Sequence, residues 1–134
     1  MTLGQISRYY GLLKQEDRQT ISKYFKISDK LLKQILVNLT LVRNICAHND
    51  RLYTFHSKFL ISYKLIDKTY KLNERSTNLY MLINSMKYLL DNKNYIEFIN
   101  QINNEINILS EEINCINIDN ILKIMGFPVN KWLI

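Results

Sequence analysis

The sequence predicts an all-α fold, a bundle of helices with a long connection near its middle. Three observations carry that expectation: apolar residues recur at helical spacing through most of the chain, Val and Thr are scarce, and no Asn–Gly hairpin signal occurs. Three glycines and one proline in 134 residues leave few natural interruptions. Hydrophobic residues make up 47% of the chain, which excludes disordered and collagen-like classes and supplies a core for one domain over residues 1–134.

Thr2 can cap a first helix running to about Lys14, with Leu3, Ile6, Tyr10 and Leu13 along one side and Gly4 and Gly11 weakening it. A second helix, about Glu16 to Phe25, opens on acidic residues that suit its N-terminus. Ser28 and Asp29 cap a central helix whose apolar stripe is Leu31, Leu32, Ile35, Leu36, Leu39, Val42 and Cys46. From Leu52 to Glu74 aromatic and basic residues mix without a period, so this stretch reads as the long connection, with a short helix near Phe59 to Ile66. Ser76 or Thr77 starts the next helix, which keeps its spacing to Asp91. After a turn at Asn92–Asn94, Asn94 caps a helix carrying Ile96, Ile99, Ile102, Ile106 and Leu109. A last helix near Asp119 to Met125 stops at Gly126-Phe127-Pro128, because glycine suits the left-handed residue after a helix and proline prevents continuation.

Cys46 and Cys115 lie far apart without metal-ligand spacing, so neither a disulfide framework nor a zinc site is expected, and no cofactor is called for. The first residues, broken by Gln5, Ser7 and Arg8, lack a signal peptide's apolar run, and no stretch approaches a bilayer span. A reduced, cytoplasmic protein fits. The charge is +6 and uneven: residues 1–75 hold 14 basic and 6 acidic side chains, residues 76–134 hold 4 and 6. A cationic first half raises the local concentration of polyanions such as RNA, although Lys14, Lys23, Lys26, Lys30 and Lys33 read equally well as solvated helix faces.

The densest group of chemically capable residues closes the central helix: Arg43-Asn44-Ile45-Cys46-Ala47-His48-Asn49-Asp50-Arg51. Arginine offers a planar fork for phosphate, and histidine exchanges protons near neutrality. Together they suit RNA cleavage without a metal: a base takes the 2′-hydroxyl proton, an acid protonates the leaving 5′-oxygen, and arginine stabilises the phosphorane-like transition state. On an ideal helix Asn44 and His48 share a face, whereas Arg43 and His48 lie about 140° apart. Either the helix ends near Ala47 and His48 swings round, or a second copy completes the site. A two-fold dimer would bring both arginines and both histidines to one centre. Plainer readings exist for each residue. His48 can serve the helix terminus, Arg51 can pair locally beside Asp50, His56 among Tyr53, Phe55 and Phe59 reads as a packed or surface loop residue, and Cys46 reads as core rather than nucleophile.

Arg43 through Tyr53 resembles the RNxxAHxxRLW-type signature of the bacterial Abi-like (AbiD/AbiF) abortive-infection proteins, a branch of the HEPN superfamily, and Arg43-x4-His48 fits the superfamily's ribonuclease motif. Thr2 through Tyr10 is similar to the family's segment upstream of the motif, and Met125-Gly126-Phe127-Pro128 through Trp132 to its C-terminal ending. Family members carry a substantial half before this region, so the chain resembles their C-terminal half. Helices missing from such a form would leave apolar surface that self-association could cover.

The resemblance implies a HEPN-like helical bundle, a homodimer across the motif helices, and a metal-independent endoribonuclease used in phage defence or as a toxin. It assigns Arg43 and His48 to the catalytic places, Asn44 to a supporting polar place, and Arg51 to RNA-phosphate contact. Asn49-Asp50 departs from the His-Ser or small polar pair common in the family, and Asp50 adds negative charge beside the site. Two alternatives stay open on the residues: a catalytically inactive RNA-binding or antitoxin-binding helical module, and a structural dimer without nucleic-acid affinity.

Overall fold

In a computed structural model, residues 1–61 and 76–128 are described. Their order is α1 (Leu3–Leu12), α2 (Gln15–Tyr24), α3 (Asp29–Ala47), β1 (His56–Ser57), β2 (Thr77–Asn78), α4 (Leu79–Ser85), a 3₁₀ turn at Met86–Tyr88, α5 (Asn92–Glu112) and α6 (Ile118–Ile124). The all-α expectation holds, with a two-residue antiparallel pairing added: His56 lies opposite Asn78 and Ser57 opposite Thr77. The end of the expected Phe59–Ile66 helix, and Trp132, fall outside the described residues. Phe59 to Ile61 are not helical.

Local chemistry sets the helix starts. Thr2 and Gln5 form a reciprocal capping box: the Thr2 hydroxyl accepts from the Gln5 amide at 3.3 Å, and the Thr2 amide donates to Gln5 Oε1 at 2.8 Å. Ser28 accepts from the Leu31 amide at 3.2 Å and opens α3 as expected. Two starts shift from expectation. Asn78, not Ser76 or Thr77, caps α4 by accepting from the Met81 amide at 2.9 Å, because residues 77–78 are held extended by the pairing with β1. Asp91, not Asn94, caps α5; its carboxylate accepts both the Asn94 amide at 2.8 Å and the Asn94 side-chain amide at 2.9 Å, so the expected cap becomes a first-turn residue.

Three helices end in the same motif, with a left-handed residue after the cap. At α6, Gly126 (φ 91) does this: its amide donates to the Lys123 carbonyl and the Phe127 amide to that of Leu122. A Cβ at Gly126 would collide with the Asn78 side chain, so glycine is needed there for space as well as for φ. Lys26 (φ 57) ends α2 and Asn49 (φ 54) ends α3 without glycine.

The first helix faces its neighbour differently from the expected stripe. Ser7 and Tyr10 are buried while Ile6 is exposed, and Gly4 and Gly11 lie against Thr40 and Lys33 of α3, where an added Cβ would stand 3.4 Å from each side chain. The glycines that weaken the isolated helix thus lie at the contact between α1 and α3, where a Cβ would make ordinary van der Waals contact. On the other side of α3, Leu31 and Ile35 pack with Leu79, Leu82 and Ile83 of α4, Ile99 and Ile106 of α5, and Leu122 and Phe127. Phe55 and Ile61, from the segment after α3, complete this core. Burying a side chain of this size stabilises by about 1.5–3 kcal/mol.

Polar ties fix the joints. Tyr10 is only 4% exposed, and its hydroxyl donates to the Arg18 carbonyl at 3.0 Å; the Arg18 guanidinium donates to the Leu13 carbonyl at 2.7 Å and pairs with Asp29 at 3.4 Å. Arg18 is thereby engaged inside the α1–α2–α3 junction. Burial, and then the nearby Asp29 carboxylate, push the Tyr10 phenol above its ordinary value of 10.0, against smaller lowering effects of Arg18 and Ser22.

A raised phenol in the folded state means that the unfolded chain loses its proton first. Stability from this group is complete below pH 10 and is lost as pH climbs through the folded value. Tyr10→Phe should cost about 0.5–1.5 kcal/mol at pH 7 through the lost hydroxyl bonds. Its urea midpoint should then fall less steeply than the wild type's above pH 10. An equally steep alkaline decline in both proteins would refute this role for Tyr10.

Candidate functional site

The site begins with the way α3 stops. Ala47 is its last helical residue, His48 is the C-cap, and Asn49 takes the left-handed conformation. The Asn49 amide donates to the Cys46 carbonyl at 3.2 Å and the Asp50 amide to the Ile45 carbonyl at 3.0 Å, which satisfies two of the helix's terminal acceptors. Asparagine tolerates positive φ better than most residues with a Cβ, so Asn49 is chemically suited to this corner. Asp50 then accepts from the Arg51 amide at 2.7 Å, and a tight turn follows in which the Phe55 amide donates to the Leu52 carbonyl at 3.0 Å.

This reversal returns the chain along α3 and encloses a groove of about 320 Å³. Its apolar walls are Leu41, Ile45 and Phe55; its polar groups are Asn44, His48, Asp50 and His56. Asn44 and His48 share one face of α3, as helical spacing predicts. Both are exposed and so is Asp50, so the groove is open to solvent.

Arg43 is not among the groove-lining residues. Although the helix does end at Ala47 and His48 takes bridge-region backbone angles (φ −94, ψ 7), His48 remains with Asn44 among the groove-lining residues, which do not include Arg43. Arg43 is exposed and donates from its guanidinium to Asn44 Oδ1 at 3.1 Å, which links it to the groove's edge through a neighbour. Arg51 is exposed outside the groove lining. Among the described residues no side-chain hydrogen bond engages the His48 ring. The capping at this end is done by backbone amides, so the plainer reading of His48 as a side-chain cap lacks a contact.

One reading of a single residue needs correction, and a second gains a neighbour. Cys46, expected in the core, is exposed, as is Cys115. The apolar stripe loses its cover toward the end of α3: Leu31, Leu32 and Ile35 are buried, Leu39 and Val42 only half-buried, and Cys46 lies one turn beyond them. His56, expected as a packed or surface loop residue, is exposed, in line with the second alternative, and lines the same groove as His48. No local sequence signal marks it; in the structure Phe55 and Ser57 are buried at 5% and 3% exposure, so the side chain between them in the extended segment points outward. Among the described residues no three His, Cys, Asp or Glu side chains converge as a metal site, and no helix is long and apolar enough to cross a membrane.

The Asn49 corner can be tested without any assay of function. Asn49→Gly should hold or raise thermal stability, whereas Asn49→Val should lose more than about 1–2 kcal/mol, since a branched side chain resists left-handed φ. Equal stability of the two variants would contradict the assigned geometry.

Comparison with known proteins bears on the same segment. The family described as Abi-like protein matches residues 1–54, a span containing Arg43, Asn44, His48 and Arg51 and stopping short of Met125–Pro128. No curated protein and no solved structure matches the chain. The first three helices and the whole α3 motif lie inside that match, so residues 1–54 are similar to the Abi-like family.

Proposed function

We propose that the protein is a metal-independent endoribonuclease of the HEPN type, acting in phage defence by abortive infection or as a toxin. The observation that carries this reading is the His48 ring, solvent-exposed and unengaged in an open groove, on the helix end that also presents Arg43 and Asn44 within the Abi-like segment. An imidazole so placed is free to take or give a proton. Arg43 supplies a permanent cation for the transition-state phosphate, Asn44 orients that guanidinium through its Oδ1, and Arg51 contacts the RNA backbone outside the groove.

Because Arg43 does not line the groove of its own protomer, the reading includes a homodimer in which the two α3 ends meet and each contributes its arginine and histidine to a composite centre. Single-stranded or looped RNA is the substrate class, and the basic side chains of α1 to α3 other than Arg18 hold its backbone. Asp50, inside the groove, opposes phosphate and favours a second reading: a catalytically inactive module that binds RNA or an antitoxin.

The test is a cleavage assay run beside a mobility-shift titration at two salt concentrations. His48→Ala should abolish cleavage of single-stranded RNA while leaving helicity and dimerisation intact, and a chelator should change nothing. Salt-sensitive RNA binding without products would select the inactive module. Equal cleavage by wild type and His48→Ala would overturn the ribonuclease assignment.

A further inference from the structure

The groove contains a second imidazole that the family motif does not include. We infer that His56 is the general acid of the reaction, paired with His48 as base inside one protomer. This rests on the ribonuclease reading and extends it: the acid and base need not come from different copies, and the dimer is then required for its arginines.

The placement of His56 is rigid for an exposed residue. It is the first residue of β1, opposite Asn78, which is itself fully buried and caps α4. Phe55 and Ser57, on either side, are both buried. Two residues on, the Phe59 carbonyl accepts from Asn38 Nδ2 and from the Thr77 hydroxyl, each at 2.8 Å, which ties this segment to the middle of α3 and to β2. A group held this way is preorganised for the proton transfer rather than ordered by the substrate.

The ring's hydrogen bonding assigns the role. His56 Nδ1 lies 3.1 Å from the Thr54 carbonyl oxygen, which can only accept, so the proton of this bond sits on Nδ1. With Nδ1 committed, Nε2 is the position left to give a proton when the ring is an imidazolium. The His48 ring, with no bond among the described residues, is free to accept one. The titratable neighbours in the groove are each other and Asp50.

The step then balances. The 2′-oxygen bonds to phosphorus and its proton passes to neutral His48. The bond from phosphorus to the 5′-oxygen breaks, and that oxygen takes the proton from His56. The products are a 2′,3′-cyclic phosphate and a 5′-hydroxyl, and the two rings then exchange one proton with solvent.

A leaving atom that needs no proton isolates this role. A site cleaved by wild-type protein is first mapped on a long single-stranded RNA, and short oligonucleotides are then made with either oxygen or sulfur at the 5′-leaving position. His56→Asn keeps an amide able to donate to Thr54 but carries no transferable proton. It should cleave the oxygen substrate about 100-fold or more slowly than wild type, in the range for a lost general acid. On the sulfur substrate it should match wild type, which also shows that the variant is folded. His48→Ala should fail on both. Wild-type protein inert toward RNA would overturn the ribonuclease reading and this inference with it. Active wild type with His56→Asn unimpaired on oxygen, or equally slow on both substrates, would overturn the role of His56 alone.

Discussion

One backbone carbonyl organises the end of the molecule that carries the candidate groove. The Phe59 oxygen receives the Asn38 side-chain amide from the middle of α3 and the Thr77 hydroxyl from β2, while the same Thr77 oxygen accepts from the Ile61 amide at 2.9 Å. Asn38 and Thr77 are both fully buried, so these bonds form away from competing water, and losing either would strand polar groups at a cost of about 1–3 kcal/mol. Asn38 Oδ1 is buried without a partner, which makes its Nδ2 contacts the whole return on placing an amide in the core. Through this node the chain leaving α3 is pinned beside the helix it has just left. The groove exists because of that constraint.

The rest of the site follows in sequence. Asn49 turns the chain, Phe55 enters the core, and the β1–β2 pairing fixes the strand between Phe55 and Ser57, so that His56 stands on the solvent side. Asn78 connects this arrangement to the far end of the chain: it caps α4, lies opposite His56 and leaves no room for a side chain at Gly126. Groups distant in sequence therefore share responsibility for where one imidazole sits. That is a reason for a small protein to spend buried polar residues here, where apolar ones would pack more simply.

How much could be read beforehand depended on whether the information was local. The start of α3 at Ser28, the sharing of a face by Asn44 and His48, and the stop at Gly126-Phe127-Pro128 each arise from residues within a few positions of one another. The β1–β2 pairing links residues 56–57 to 77–78 with no hairpin signal between them, so neither the Asn78 cap nor the exposure of His56 could be derived from spacing. Lys26 in a left-handed cap has no sequence signature at all, since lysine is not selected for that conformation. The burial of Asn38 was hidden because a polar residue within an apolar stripe reads as solvent-facing until its long-range partner is known. Cys46 shows the reverse error, an apolar position on a helix that outruns its core.

The central claim is that the end of α3 and the strand after it form one ligand-binding groove addressed by both histidines. The chain contains only two histidines, so their ring resonances can be followed individually by NMR. Titration with a single-stranded 2′-O-methyl RNA, which can occupy the groove but cannot be cleaved, tests the claim directly. The His48 and His56 ring signals should move together and saturate on one binding curve. Signals that stay unmoved, or that follow separate curves, would contradict it.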